Sequence, residues 1–212
     1  MHIPDGFINA PVAVTTGVVA VTAIAVAVKI TNKKVGEKQV PMMGVLAAFI
    51  FAAQMLNFPV AGGTSGHFVG AALAAILLGP WASVLIMSSV LIVQCLIFQD
   101  GGLLALGANI TNMAVISIFS SYYIYKGINA MFKQSRAGTI VGAGIGAWFS
   151  VLVASLACAV ELVVSGTSPW AIAIPAMGGI HMIIGIGEGL ITVAVLSLVM
   201  ATRADLLKLQ VA

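Results

Sequence analysis

Seven apolar stretches follow one another with almost nothing charged inside them, and no other feature limits the fold so strongly. They lie at about residues 11–30, 41–58, 67–79, 80–98, 107–126, 137–164 and 171–202. In lipid a backbone must pair its own N–H and C=O groups, so continuous apolar runs read as membrane helices. A β-barrel needs alternating strands, which are not seen. Only 7% of the 212 residues are charged and 61% are hydrophobic, against about a quarter charged in a soluble domain. The expected fold class is therefore all-α: a polytopic membrane protein with seven transmembrane helices. Residues 1–212 form a single integral membrane domain, with an N-terminal segment at 1–10, a bundle at 11–202 and a tail at 203–212. The net charge of +3 points to no nucleic-acid role. Cys95 and Cys158 lie inside apolar runs and read as small core residues.

Charge sets the expected topology. The nine basic residues fall in three places: Lys29, Lys33, Lys34 and Lys38; Lys126, Lys133 and Arg136; and Arg203 with Lys208. Seven spans put all three on one face, which is then cytoplasmic, with the N-terminus outside and the C-terminus inside. The scarce polar residues then gather on the outer side: His2, Asp5, His67, Asp100 and His181. Glu188 lies two turns deeper than His181 on the same helix face. An acid within a membrane helix is expected to face the bundle interior and to serve function. The last run is long enough to tilt, or to begin irregularly around Pro175 and Gly178–Gly179.

The chain begins "MHIPDG". No basic leader or cleavage site precedes the first apolar run, so the mature chain is expected to start at Met1. His2 is also too large for removal of the initiator Met. A free α-amine followed by His is a chelator: the amine and the His2 amide nitrogen close a five-membered ring on a metal, and the amide with its own Nδ1 closes a six-membered one. Ni²⁺ and Cu²⁺ favour such planar nitrogen donors and drive off the amide proton. The amine must be neutral, so affinity is expected to fall as pH drops through the imidazole range. His67, at the end of "GGTSGH", is the candidate fourth nitrogen, brought in by a flexible loop. Pro4 keeps Ile3 extended, and Asp5 is a candidate to accept a hydrogen bond from an imidazole. A zinc site would need Cys, His and carboxylate ligands at motif spacing, which this chain lacks.

"MHIPDG", "GGTSGH", "LLGPWAS", "FQDGGLLALGANITNMA" and "GIHMIIGIGEGLIT" together resemble the CbiM/NikM family. These are the substrate-binding membrane subunits (S components) of energy-coupling-factor (ECF) transporters for cobalt and nickel. The resemblance runs from residue 1 to about 192. It implies a six-helix S-component fold plus an extra first helix that threads the N-terminus into a pocket from outside. It also implies a metal held by Met1, His2 and His67, with Ni²⁺ or Co²⁺ as transported substrate. Gln94, Asp100, Asn109, Asn112, His181 and Glu188 match family positions too, which implies supporting roles in orienting loops or ligands. The implied partners are an ECF transmembrane coupling subunit, two cytoplasmic ATPase subunits and a small additional membrane protein, all in a prokaryotic inner membrane. The chain is not itself expected to be an enzyme, since nothing in it resembles G-x-x-x-x-G-K-[ST]. Ala48/Ala52 and Ala71/Ala75 have the spacing of close helix contacts.

Two other readings compete. An ion-gradient-driven secondary transporter would use Glu188 and His181 as a relay, although no inverted repeat is visible. An intramembrane metalloprotease would need H-E-x-x-H, which is absent. Nickel against cobalt stays open, with the planar site favouring nickel.

Overall fold

The Asn9 side chain accepts a hydrogen bond from the Val12 N–H at 3.0 Å, and Pro11 sits in the first turn, where a missing N–H costs little. These two residues start helix α1, Ala10–Lys34, in the computed structural model, which describes residues 1–37 and 39–208. Lys38, the Lys208 side chain and tail residues 209–212 lie outside the described residues. The rest of the chain forms α2 (Gln39–Gln54), a short hairpin of β1 (Phe58–Pro59) and β2 (Ser65–Gly66), α3 (Ala71–Leu78) and α4 (Pro80–Phe98). It continues with α5 (Leu106–Ile110), a π-helical turn (Thr111–Ile116), α6 (Ser117–Met131), α7 (Arg136–Val164), α8 (Trp170–Thr202) and a 3₁₀ turn (Ala204–Lys208).

The chain is mostly helical, and α1, α4, α7 and α8 are each long and apolar enough to cross a membrane. α7 packs along both α6 and α8. α1 lies to one side against α4, α5 and the π turn. It buries only Thr16, Ala20, Ala27 and Thr31, a single stripe at helical spacing.

Several expected boundaries shift. The third stretch, 67–79, is helical only over Ala71–Leu78, about 12 Å at 1.5 Å per residue. All eight of its residues are buried, so α3 is wrapped by protein. Its predecessor ends at Gln54 rather than 58, because the chain turns there into the hairpin. That hairpin, with Phe58 opposite Gly66 and Pro59 opposite Ser65, amends the all-α expectation and makes the Gly-rich stretch ordered. The fifth stretch carries a π turn that apolar periodicity cannot announce. α8 runs unbroken through Pro175, which sits early in the helix, and through Gly178 and Gly179. At 33 residues it is about 50 Å long, well beyond a hydrocarbon core of about 30 Å.

Candidate metal centre

The first residues fold inward as an extended strap. Met1 and Ile3 are completely buried and His2 nearly so. Paired backbone groups hold the strap in place. The Ile3 N–H donates to Asn109 Oδ1 at 2.8 Å, while Asn109 Nδ2 and the Gly102 N–H donate to the Ile3 carbonyl at 3.2 and 2.8 Å. Asn109 thus reads Ile3 as a neighbouring strand would, which requires the extended backbone that Pro4 imposes. Farther out, Asn9 donates to Ser165 Oγ (3.1 Å) and the Val164 carbonyl (3.2 Å), and Thr167 donates to the Phe7 carbonyl.

At the inner end the Met1 amine donates to the Ser65 carbonyl and, at 2.8 Å, to Ser65 Oγ. The His2 N–H reaches the same Oγ at 3.1 Å. The hairpin therefore delivers Ser65 to the amine and His67 to the imidazole of His2. The two rings lie nearly parallel, centroids 4.6 Å apart.

The tautomers follow from the acceptors. His2 Nε2 lies 3.0 Å from Gln94 Oε1 and donates to it, which leaves Nδ1 with the lone pair. Asp100 Oδ1 is 3.4 Å from this Nδ1, at an angle that makes no hydrogen bond. His67 Nδ1 donates to the Phe68 carbonyl at 2.7 Å, leaving Nε2 as the lone-pair atom. His181 Nδ1 donates to the Met177 carbonyl at 2.7 Å, and its Nε2, near the Ser65 backbone, makes no bond of acceptable geometry. Three buried imidazole nitrogens, His2 Nδ1, His67 Nε2 and His181 Nε2, thus lack a partner, as does Gln94 Nε2. A buried polar atom without a partner is costly, roughly 1–3 kcal/mol. These imidazole lone pairs are open to a further partner.

Burial governs the protonation of these groups. It lowers the Met1 amine from 8.0 to about 5, with Cys158 and Asp100 opposing. It lowers the His2 imidazole from 6.5 to about 3, helped by the terminal amine and opposed by the Gln94 contact. Burial also raises the Asp100 carboxyl from its ordinary value, against the pull of the amine and of Asn57, whose Nδ2 donates to Asp100 Oδ2 at 3.0 Å. Both nitrogen bases are neutral at pH 7, which is the form that binds metal.

Not every candidate sits where the sequence suggested. Asp5 meets no imidazole; its oxygens accept the Leu103 and Leu104 N–H groups at 3.1 and 2.8 Å, and Asp100 stands beside His2 instead. The cause is the direction of the strap, which turns outward after Ile3 and leaves Asp5 at the rim. Asn112 lies off the centre, donating to Glu161 Oε2 at 2.6 Å. Glu188 accepts the Val69 and Gly70 N–H groups. Ser65, inside "GGTSGH", and Cys158, which from the sequence reads only as a small core residue, also border the first residue: Cys158 Sγ is 4.0 Å from the Met1 carbonyl. Among the described residues no three His, Cys, Asp or Glu side chains form a metal-ligating group. The donors that do converge include main-chain nitrogens.

Residues 2–206 match the family model CbiM, described as the cobalt uptake substrate-specific transmembrane region. The chain belongs to the CbiM family. Among CbiM-like relatives, a provisionally named fused nickel transport protein NikMN of Archaeoglobus fulgidus is 42% identical over 210 residues, covering 98% of this chain and 68% of that one. A provisionally named metal transport protein of Haloquadratum walsbyi is 40% identical over 211 residues, covering 97% of this chain and 93% of its own. The CbiM fold is similar to a crystal structure of a truncated transition metal transporter, with TM-score 0.88 and 36% identity over 95% of this chain and 99% of that one. This CbiM-family chain is a multi-pass membrane protein.

Proposed function

We propose that this chain is the subunit that captures nickel or cobalt for import, and that four nitrogens hold the ion: the Met1 amine, the His2 amide, His2 Nδ1 and His67 Nε2. The observation that carries this reading is the burial of the amine beside two imidazole nitrogens that have no partner. The neutral amine keeps its N–H bonds to Ser65 while its lone pair serves the ion. The amide gives up its proton, and Ni²⁺ drives that step better than most divalent ions. Two imidazoles sharing an ion turn their nitrogen edges to it, so the present ring stack opens as the ion arrives. Gln94 holds the His2 ring through its hydrogen bond, Asp100 lies beside that ring, and Asn109 holds Ile3.

The family supports the rest of the reading. The chain docks on an ECF transmembrane coupling subunit with two cytoplasmic ATPases and a small additional membrane protein. The helices cross a prokaryotic inner membrane seven times, N-terminus outside. The ion-gradient alternative needs Glu188 as a proton carrier, yet both its oxygens are engaged by backbone N–H groups.

Isothermal titration with Ni²⁺ and with Co²⁺, on the parent and on His67→Ala, tests the site. The account expects the variant to fold and to lose tight binding. Parental affinity in His67→Ala removes His67 from the ligand set.

A further inference from the structure

α3 is an eight-residue helix whose N-cap N–H, that of Gly70, is met by a side chain 118 residues away in sequence. Its N-cap residue, Gly70, has φ +80°, which favours glycine, and makes no side-chain cap of its own. The N-cap donor and the one before it are met from α8: Glu188 Oε2 accepts the Val69 N–H at 2.6 Å, and Oε1 accepts the Gly70 N–H at 2.7 Å. The carboxyl group is almost wholly buried. A negative group at a helix N-terminus is favourable, and two short charge-assisted bonds fix direction as well as distance.

The segment held in this way begins at His67, two residues before Val69. His67 Nδ1 is tied to the Phe68 carbonyl, so ring and backbone move together. We propose that Glu188 is a positioning residue for metal capture. By fixing the 67–70 backbone it sets where His67 Nε2 stands relative to the chelate of Met1 and His2, without touching the ion. This rests on the four-nitrogen reading above. It predicts that Glu188 acts on affinity only through His67.

Cu²⁺ is the probe, because it binds planar nitrogen chelates most strongly and leaves the three-nitrogen site of a His67 variant measurable. Glu188→Gln turns an N–H donor towards a backbone donor and breaks the double bond to the loop. In the otherwise native chain it lowers Cu²⁺ affinity about 10–100-fold and shifts the copper EPR spectrum towards that of His67→Ala. In the His67→Ala background the same change alters affinity by less than about twofold, since the two residues act as one unit. An equal loss in both backgrounds, or none in either, overturns the role of Glu188 and leaves the four-nitrogen site standing. If His67→Ala alone binds Cu²⁺ with parental affinity and spectrum, both ideas fall. Should Glu188→Gln fail to fold, Glu188→Asp, one methylene too short to hold both N–H groups, is compared in the same two backgrounds with the same criteria.

Discussion

At the residue scale the centre depends on keeping bases neutral. The folded values of the Met1 amine (about 5) and of His2 (about 3) both lie below the ordinary ones of 8.0 and 6.5. The inward-folded state therefore binds fewer protons than the released strap. Its docking is strongest above pH 8 and weakens as pH falls towards 5 for the amine, and from 6.5 towards 3 for the imidazole. Metal-free protein should accordingly lose thermal stability on acidification from pH 8 to 5, with a protease cutting the strap more readily; a flat profile counts against the buried amine. For the folded protein, proton competition begins lower than the imidazole range expected from the sequence. At pH 7 the amine and imidazoles are already neutral, so about one proton, that of the His2 amide, leaves per ion. Calorimetry in buffers of different ionisation enthalpy measures this, and two or more released protons contradict it. His181 lacks a second partner but has no place in the planar set, so His181→Ala should weaken nickel binding about 10–100-fold. Complete loss in a titration would make it a ligand. The nearness of Met1, His2 and His67 was legible because rare residue types at the start of the chain and in "GGTSGH" stand out in so apolar a sequence. The exchange of Asp5 for Asp100 was not, because it depends on where the strap turns.

At the element scale, the hairpin and the turn before α3 bring Ser65 and His67 to the strap, which leads into α1. α1 rests against α5 at glycines: a Cβ on Gly107 would stand 2.6 Å from Gly17 Cα and 2.8 Å from Gly17 N, which is backbone and cannot step aside. Thr111 Oγ1 completes the contact by donating to the Thr16 carbonyl at 2.9 Å. Gly107→Val should push α1 away, displace residues 1–9 and lower nickel affinity at least tenfold, while the α6–α7–α8 packing persists. Helical content from circular dichroism and titration on the same sample separate the two effects; unchanged affinity denies α1 its part in aiming the strap. The long helices were legible because apolar runs of this length have few other solutions. α3 and the hairpin were obscure for a tertiary reason. Residues 67–79 read as one continuous helix, and only the structure shows that the chain stays non-helical to Gly70, with the Val69 and Gly70 N–H groups met by Glu188 inside the protein. The π turn at Thr111–Ile116 leaves no mark in composition at all.

At the scale of the whole molecule the chain belongs to a family described as the cobalt uptake substrate-specific transmembrane region, and the proposed function draws its energy from partner ATPases. Reconstituted with the coupling subunit and the ATPases, it should take up Ni²⁺ or Co²⁺ on addition of ATP. Uptake driven by a proton gradient without those partners would favour the ion-gradient alternative. Lys33 and Lys34 end α1, Lys126 and Lys133 lie at the end of α6 and just after it, and Arg136 opens α7. On the proposed topology these helix ends face the cytoplasm. The central claim is that the first amine of the chain is itself a ligand. One residue added before Met1 changes no side chain, yet it turns the Met1 nitrogen into an amide and puts a new amine where Ser65 and the buried wall leave no room. Metal content, measured after purification of an N-terminally extended form and of a form tagged after Ala212, compares the two cases directly. The account predicts one nickel or cobalt ion per chain in the C-terminally tagged protein and almost none in the extended one. Equal stoichiometric metal in both would contradict it.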